Sequence, residues 1–270
     1  MPDLRAVVER ALAEDIGPGD ATTLACVEAG TQAAGTFTAR QPIVVAGLEL
    51  LEILYEDAPS LVVVARNGDR LASGARIAVV RGSARTLLSR ERVALNFLQR
   101  LSGVATLAAQ YVDAVAGTRT KILDTRKTTP GLRLLEKAAA AAGGVTNHRI
   151  GLYDAILIKN NHITAAGGVR NALDRVRGSN LKVEIEVRTR DELDQALSSG
   201  AKHLLLDNLT PAQAMEWIAH IAGRATVELS GNITLDNVRA YAEAGPDFIS
   251  SGAITHSAPA VDINFRLELD

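Results

Sequence analysis

Charged side chains recur at alternate positions in the second half of the chain. Lys182, Glu184 and Glu186 interleave with Val183, Ile185 and Val187. Glu228 and Ser230 interleave with Val227 and Leu229, Lys159 follows Ile156 and Ile158, and Asp207 closes a run of three leucines. Residues two apart share a face of a strand, so each segment has one apolar and one polar face. A parallel sheet covered on both sides should read as near-continuous Val, Ile and Leu. Charge kept on one face near the C-terminal strand ends is where an α/β barrel carries its active site. Lys159, Glu186 and Asp207 each end a strand and are read as one site, because unpaired buried charge is costly and is usually kept for function. Lys182 and Glu184 read equally well as a structural ion pair within the sheet.

Between Arg119 and Lys159 stand eight Lys or Arg against three acids, Asp124, Glu136 and Asp154. Such a cluster in a nearly neutral chain suits an anion: Arg offers a fork to carboxylate or phosphate and Lys a point charge. Arg126, Lys127 and Arg149 fall in loops and are the better ligand candidates. Arg133 and Lys137, four apart on a helix, read as its solvated face. Glu186 and Asp207 suit a hard cation such as Mg²⁺, and Asp207 suits a sugar hydroxyl as well. Ser230-Gly231-Asn232 precedes a helix starting near Thr234, and Ser250-Ser251-Gly252 follows the next strand. Both read as loops whose amides approach a phosphate. His148, next to Arg149, is the histidine most suited to a ligand. His203 and His220 read as packing or surface residues. No GxGxxG, Walker or GxSxG signature is present.

The elements that position these groups change character near residue 103. Before it, Phe37–Arg40, Ile43–Ala46 and Leu61–Ala65 read as strands. Arg76–Arg81 and Ala84–Leu87 read as a hairpin around Gly82-Ser83, and Ser89 as the cap of a helix ending near Leu101. This is helix plus a largely antiparallel sheet. After residue 120, strands Lys121–Thr125, Ala155–Lys159, Lys182–Val187, His203–Asp207, Thr226–Ser230 and Phe248–Ser251 alternate with helices. The helices are Gly131–Ala142, Gly168–Arg177, Arg190–Ser199, Pro211–Ile221 and Leu235–Ala244. Such βα units imply parallel strands with right-handed crossovers: a βα barrel first, an open doubly wound sheet second.

Composition narrows the function. The 270 residues are 47% hydrophobic, enough for one large domain or two ordinary ones. Lys plus Arg number 29 against 31 Asp plus Glu, a net charge of −2. That balance argues against non-specific nucleic-acid binding or a polybasic membrane contact. At 3% aromatic residues, a stacking platform for single strands is not expected. One cysteine, Cys26, excludes a disulfide framework and a multi-cysteine metal site and fits a reducing cytoplasm. Residues 1–20 lack the apolar core of a signal peptide. No run approaches the roughly 20 apolar residues of a membrane span.

Several blocks resemble one family. They are Glu14-Asp15-Ile16-Gly17, Gly19-Asp20 with Thr22-Thr23, Glu91-Arg92-Val93-Ala94-Leu95-Asn96 and Leu101-Ser102-Gly103. They continue with Asp124-Thr125-Arg126-Lys127-Thr128-Thr129-Pro130-Gly131, Asn147-His148-Arg149 and Leu157-Ile158-Lys159-Asn160-Asn161-His162. Leu206-Asp207-Asn208 and Thr255-His256-Ser257-Ala258-Pro259 complete the set. Together they resemble quinolinate phosphoribosyltransferases over essentially the whole chain. One departure is Asn232, where the family has glycine.

The resemblance implies an N-terminal α/β sandwich (residues 1–103, joined by the tail 263–270). It implies an incomplete parallel α/β barrel of the type II phosphoribosyltransferase kind over residues 104–262. It also implies a homodimer with shared active sites, assembled into hexamers in some members. The reaction implied is a decarboxylating pentosyl transfer. Quinolinate and phosphoribosyl pyrophosphate, with Mg²⁺, give nicotinate mononucleotide, pyrophosphate and carbon dioxide in NAD biosynthesis. Arg126, His148, Arg149 and Lys159 would cradle quinolinate, joined by Arg92 of the neighbouring subunit. Lys127 and Lys159 would meet the phosphoribosyl donor, and Glu186 and Asp207 its ribose hydroxyls and the metal. Lys127, Lys159, Glu186 and Asp207 form the implied catalytic set. Ser230, Gly231 and Asn232, with Ser251 and Gly252, would bind the 5′-phosphate. A barrel aldolase using Lys159 as a Schiff-base lysine and a non-catalytic anion binder are the readings from other classes. A relative found beside molybdate transporters is disfavoured by the full DTRKTTPG block and by His148-Arg149.

Overall fold

The computed structural model describes residues 4–269. Met1–Asp3 and Asp270, the outermost residues of the N-terminal segment and of the tail, lie outside them. The chain divides into two compact units. The first takes residues up to Ala109, Leu134–Gly144 and the chain from Ala258 onward. The second takes Gln110–Arg133 and Val145–Ser257. No helix among the described residues is long and apolar enough to cross a membrane.

The first unit begins with α1 (Leu4–Ile16) and α2 (Ala21–Cys26). Asp20 starts α2 by accepting the Thr23 amide at 2.9 Å and the Thr23 hydroxyl, which accounts for the Gly-Asp-x-Thr-Thr block. Then follow β1 (Gln32–Ala39), β2 (Ile43–Val44), α3 (Glu49–Leu54), β3 (Ser60–Val63), β4 (Arg70–Leu71), β5 (Arg76–Ser83) and α4 (Ala84–Ala114). An antiparallel four-stranded sheet runs in the order tail strand (Ile263–Leu269), β1, β5, β3. The tail strand enters because Gly35 leaves room for it. A Cβ on Gly35 would lie 1.9 Å from the Phe265 ring, which packs 4.7 Å from Phe37.

The expected hairpin at Gly82-Ser83 is absent. Ala84–Leu87 form the first turn of α4, where Ala84 and Leu87, three apart, are buried together. Ser89 lies within that helix rather than capping it. Nor does α4 stop near Leu101. Ser102 bonds the Ala46 amide, and a Cβ on Gly103 would meet the Pro259 carbonyl at 2.1 Å. The Leu-Ser-Gly block thus marks close packing inside a helix, not its end. Lys137 is not solvated either: it is 1% exposed, beside the fully buried Glu136, which accepts the Arg100 guanidinium at 2.7 Å.

The second unit carries β6 (Lys121–Leu123), β7 (Ile156–Ile158), α6 (Asn160–Ala166) and α7 (Val169–Arg175), while α5 (Arg133–Ala142), between β6 and β7 in the chain, falls with the first unit from Leu134 on. It continues through β8 (Val183–Val187), α8 (Arg190–Ser198), β9 (His203–Asp207), α9 (Pro211–Ile221), β10 (Thr226–Ser230), α10 (Val238–Glu243), β11 (Phe248–Ser250) and α11 (Ala253–His256). The tail strand is β12. Six parallel strands pair in the order β6-β11-β10-β9-β8-β7. The first strand lies beside the last, and the order never reverses mid-sheet as a doubly wound sheet requires. The unpaired junction falls between β6 and β7, where Leu123 bridges Thr146 alone. This is an incomplete barrel. The helix expected near Thr234 starts at Val238, because Asn237 accepts the Thr234 amide and forms a turn first.

Candidate active site

Strand ends and the loops after them enclose a cavity of about 530 Å³ within the second unit. Its walls include Thr125, Arg126 and Lys127 after β6, His148 and Arg149 before β7, and Lys159 after it. Glu186 comes from β8 and Arg188 just after it, Asp207 from β9 and Asn208 just after it, and Glu228 and Ser230 from β10, with Gly231, Asn232 and Ser250. The pleat read from the sequence is the one that faces inward: Glu186, Asp207, Glu228 and Ser230 all line the cavity.

One wall is cationic. Arg126 presents a buried Nε–H without an acceptor. Burial pushes the Arg149 guanidinium below its ordinary range, and repulsion from Arg126 pushes it further. Two guanidiniums are thus held close enough to repel each other beside one cavity. Their loops are tied down locally. Asp124, fully buried, accepts the His148 amide at 2.8 Å and the Asn147 amide group at 2.5 Å. Arg133 donates to the Thr128 hydroxyl and the Ile150 carbonyl, so it braces the two basic loops rather than facing solvent. Thr255 donates to the Lys127 carbonyl at 2.7 Å. Asp154 accepts the amides of Ile150 and Gly151.

The opposite wall is carboxylate-rich. Glu186, 4% exposed, lies 2.9 Å from Arg188 and 3.4 Å from Lys159. Asp207 lies 3.5 Å from the same Arg188 nitrogen. Burial and then the nearby Glu186 raise the Asp207 carboxyl above its ordinary range. Arg188 is one pleat step beyond Glu186 and was not anticipated, though the alternation pointed to it.

Beneath these groups His148 faces two further carboxylates. Its Nε2 lies 3.3 Å from Glu184 and 3.4 Å from Glu228. Burial alone would lower the imidazole. Hydrogen bonding to both acids overrides it and raises the group to about 9. The Arg149 amide donates to Nδ1 at 2.7 Å. Nε2–H is the donor to the carboxylates. Burial works against the Glu184 carboxylate too, but the His148 bond holds it below its usual range. Glu184 therefore pairs with His148 of the loop before β7. The three donor atoms lie within 4.8 Å of one another, a span a metal could bridge. Their contacts of 3.3 and 3.4 Å suit a shared proton equally.

The anion loop is tightly built. Asn208, Gly231 and Asn232 all have positive φ, of 59°, 98° and 53°. A Cβ on Gly231 would lie 2.3 Å from the Asn208 side chain and 2.8 Å from its backbone nitrogen. Asn232 donates to Asn208 at 3.2 Å. Asparagine adopts left-handed backbone more readily than other non-glycine residues, so it fits at 232. Ser251 does not reach the cavity. Its amide bonds Leu123 and its hydroxyl bonds the Ile233 carbonyl. Gly252 is not a wall residue, but a Cβ there would press within 2.7 Å of Lys127 Cδ. Arg92 is exposed on α4 in the first unit. Of the remaining histidines, His162 accepts the Lys159 amide, His220 pairs with Asp194 at the surface, and His256 bonds Ser257.

An open α/β barrel with a cation wall, a carboxylate wall and a glycine–asparagine anion loop defines an enzyme site for a multiply charged ligand. Residues 20–102 match the N-terminal domain of quinolinate phosphoribosyl transferase and residues 104–266 its C-terminal domain. The chain is 41% identical to a nicotinate-nucleotide pyrophosphorylase [carboxylating] of Mycobacterium leprae, over 97% of this chain and 96% of that protein. It is 39% identical to the chloroplastic protein of that name from Arabidopsis thaliana, over 99% and 84%. The solved nicotinate-nucleotide pyrophosphorylase of Francisella tularensis superposes with a TM-score of 0.94 at 36% identity, over 98% of this chain and 96% of that one. The chain belongs to the quinolinate phosphoribosyltransferase family.

Proposed function

We propose that this protein transfers a phosphoribosyl group from phosphoribosyl pyrophosphate to the ring nitrogen of quinolinate, with loss of carbon dioxide. The products are nicotinate mononucleotide and pyrophosphate, and the step belongs to NAD biosynthesis. The observation that carries the reading is the Arg126–Arg149 pair, two repelling guanidiniums on one cavity wall. A dicarboxylate placed there relieves that repulsion and supplies the acceptor that Arg126 Nε lacks.

Lys127 and Lys159 lie where a pyrophosphate-bearing donor would meet the dicarboxylate. Gly231 and Asn232 hold the 5′-phosphate, Ser230 beside them. Glu186 and Asp207 orient the ribose hydroxyls, and their paired carboxylate oxygens fit the ligand set of a hard cation. Mg²⁺ bound there would neutralise charge on the departing pyrophosphate. Displacement at ribose C1 needs no protein nucleophile, so positioning and charge stabilisation suffice. The functional unit is a homodimer, residues 1–103 and the tail forming one domain and residues 104–262 the other. Arg92 reaches the partner's barrel. One cysteine in 270 residues supports a cytoplasmic setting.

Incubation with quinolinate, phosphoribosyl pyrophosphate and Mg²⁺, followed by product mass analysis, tests the reading. Nicotinate lacks the second carboxylate, and each charge-assisted bond lost costs about 1.5–3 kcal/mol. Two lost bonds give roughly a hundredfold or greater preference for quinolinate. Comparable turnover of both acids refutes the assignment.

A further inference from the structure

The reaction proposed above ends with a hydrogen where a carboxylate stood, so some group must deliver a proton to a ring carbon. Most groups around the cavity are poorly suited. Arg126, Arg149 and Arg188 do not release protons in proteins. Lys127 is exposed, and a lysine ammonium is a far weaker acid than a carboxyl. Lys159 is paired with Glu186. His148 has Nε2–H turned to two carboxylates and Nδ1 turned to the Arg149 amide. Asp207 is engaged by Asn208 at 2.7 Å and by Arg188 at 3.5 Å, and the proposed function gives it to the ribose hydroxyls.

Glu228 differs from all of these. It lines the cavity and is 2% exposed, and its contact to His148 Nε2 is a long one of 3.4 Å. The titratable groups facing it are His148, from the loop before β7, and Glu184, from β8; Ser250 of β11 is the neighbouring hydroxyl. The imidazole is already paired with Glu184, so a second negative charge on Glu228 would face that of Glu184 inside the barrel. We propose that Glu228 is the catalytic acid that protonates C2 of the pyridine ring after decarboxylation. Burial, followed by repulsion from Glu184, holds its carboxyl above the ordinary range and so keeps the proton in place.

The step balances. The bond from C2 to its carboxylate breaks, carbon dioxide leaves, and the electron pair stays on C2 beside the cationic ring nitrogen. That pair takes the Glu228 proton and forms the C2–H bond. The resulting Glu228 carboxylate regains a proton from solvent on product release. Glu184 acts as a positioning residue by holding His148 against this wall.

Single-turnover kinetics of Glu228→Gln test the proposal, with pyrophosphate release and nicotinate mononucleotide formation followed separately. The amide keeps the shape and loses the acidic proton. Quinolinate affinity and the pyrophosphate burst should stay within about threefold of wild type, while product formation slows about a hundredfold or more. Glu228→Asp should recover at least about tenfold of that loss. Product formation within threefold of wild type refutes the proposal, as does equal slowing of both steps. If Glu228→Gln does not fold, the wild-type pH profile decides. Product formation should fall on the alkaline side while pyrophosphate release does not, and parallel profiles refute the assignment. Wild-type enzyme inert toward quinolinate would instead refute the function itself.

Discussion

Gly231→Ala should cripple the anion loop, and the structure gives the size of the effect. An L-residue held at the φ of +98° seen here loses about 1–2 kcal/mol of backbone energy. The new methyl would also sit 2.3 Å from Asn208 Oδ1 and 2.8 Å from the Asn208 nitrogen. The side chain cannot swing away freely, because Asn208 donates to Asp207 at 2.7 Å and accepts from Asn232 at 3.2 Å. The nitrogen cannot retreat without stretching its 2.9 Å bond to the Ser230 carbonyl. Overpacking of this kind costs about 1–3 kcal/mol. Together these give a loss of about 2–5 kcal/mol. Urea unfolding of the two proteins measures it, and the KM for phosphoribosyl pyrophosphate should rise at least about tenfold as the loop shifts. Asn232→Gly is the control. It removes one exposed contact and relieves a φ of 53°, so stability should move by less than about 1 kcal/mol. A Gly231→Ala protein as stable as wild type with an unchanged KM refutes the reasoning.

Further outcomes follow from the same site. Arg126→Lys keeps the charge and loses the planar fork, so kcat/KM for quinolinate should fall about a hundredfold or more in steady-state assays; survival of activity removes Arg126 as a bidentate ligand. Asp207→Asn should lower the rate while quinolinate still binds by calorimetry, and loss of quinolinate affinity instead would place Asp207 in the wrong half of the site. If Arg92 serves the partner's barrel, Arg92→Ala and Lys159→Ala proteins should each be inactive alone. Equal mixing with subunit exchange should then restore about a quarter of wild-type activity, since half the dimers are mixed and half their sites intact. No recovery after verified exchange would show that Arg92 does not act across the interface.

The barrel was legible because short apolar strands alternate with helical stretches, and Val183–Val187 and Thr226–Ser230 carry charge on one face. His203–Asp207 and Thr226–Ser230 span the same residues that read as strands in the sequence. Pairing across strands was less legible. Spacing tells which face Glu184 and Glu228 occupy, but not that both meet His148, which comes from a loop far earlier in the chain. The Arg133–Lys137 face was misread because Ala138–Ala142 gives no polar contrast by which to orient the helix. The hairpin expected at Gly82-Ser83 gives way because Ala84 and Leu87, three apart, share a face only in a helix, which continues through Val93, Leu98 and Leu101.

The trio of His148, Glu184 and Glu228 sets a limit on how this barrel can adapt. Replacing buried ionisable groups by apolar residues of similar volume is often neutral or stabilising. A search for heat-resistant variants of the second unit would therefore find some of its readiest gains at positions to which the proposed mechanism assigns a role. On that mechanism, thermal tolerance gained without loss of turnover has to come from elsewhere, such as the exposed Val62 in β3 and Val64 just after it. On the proposed mechanism, persistence and catalysis compete for the same buried positions of this barrel.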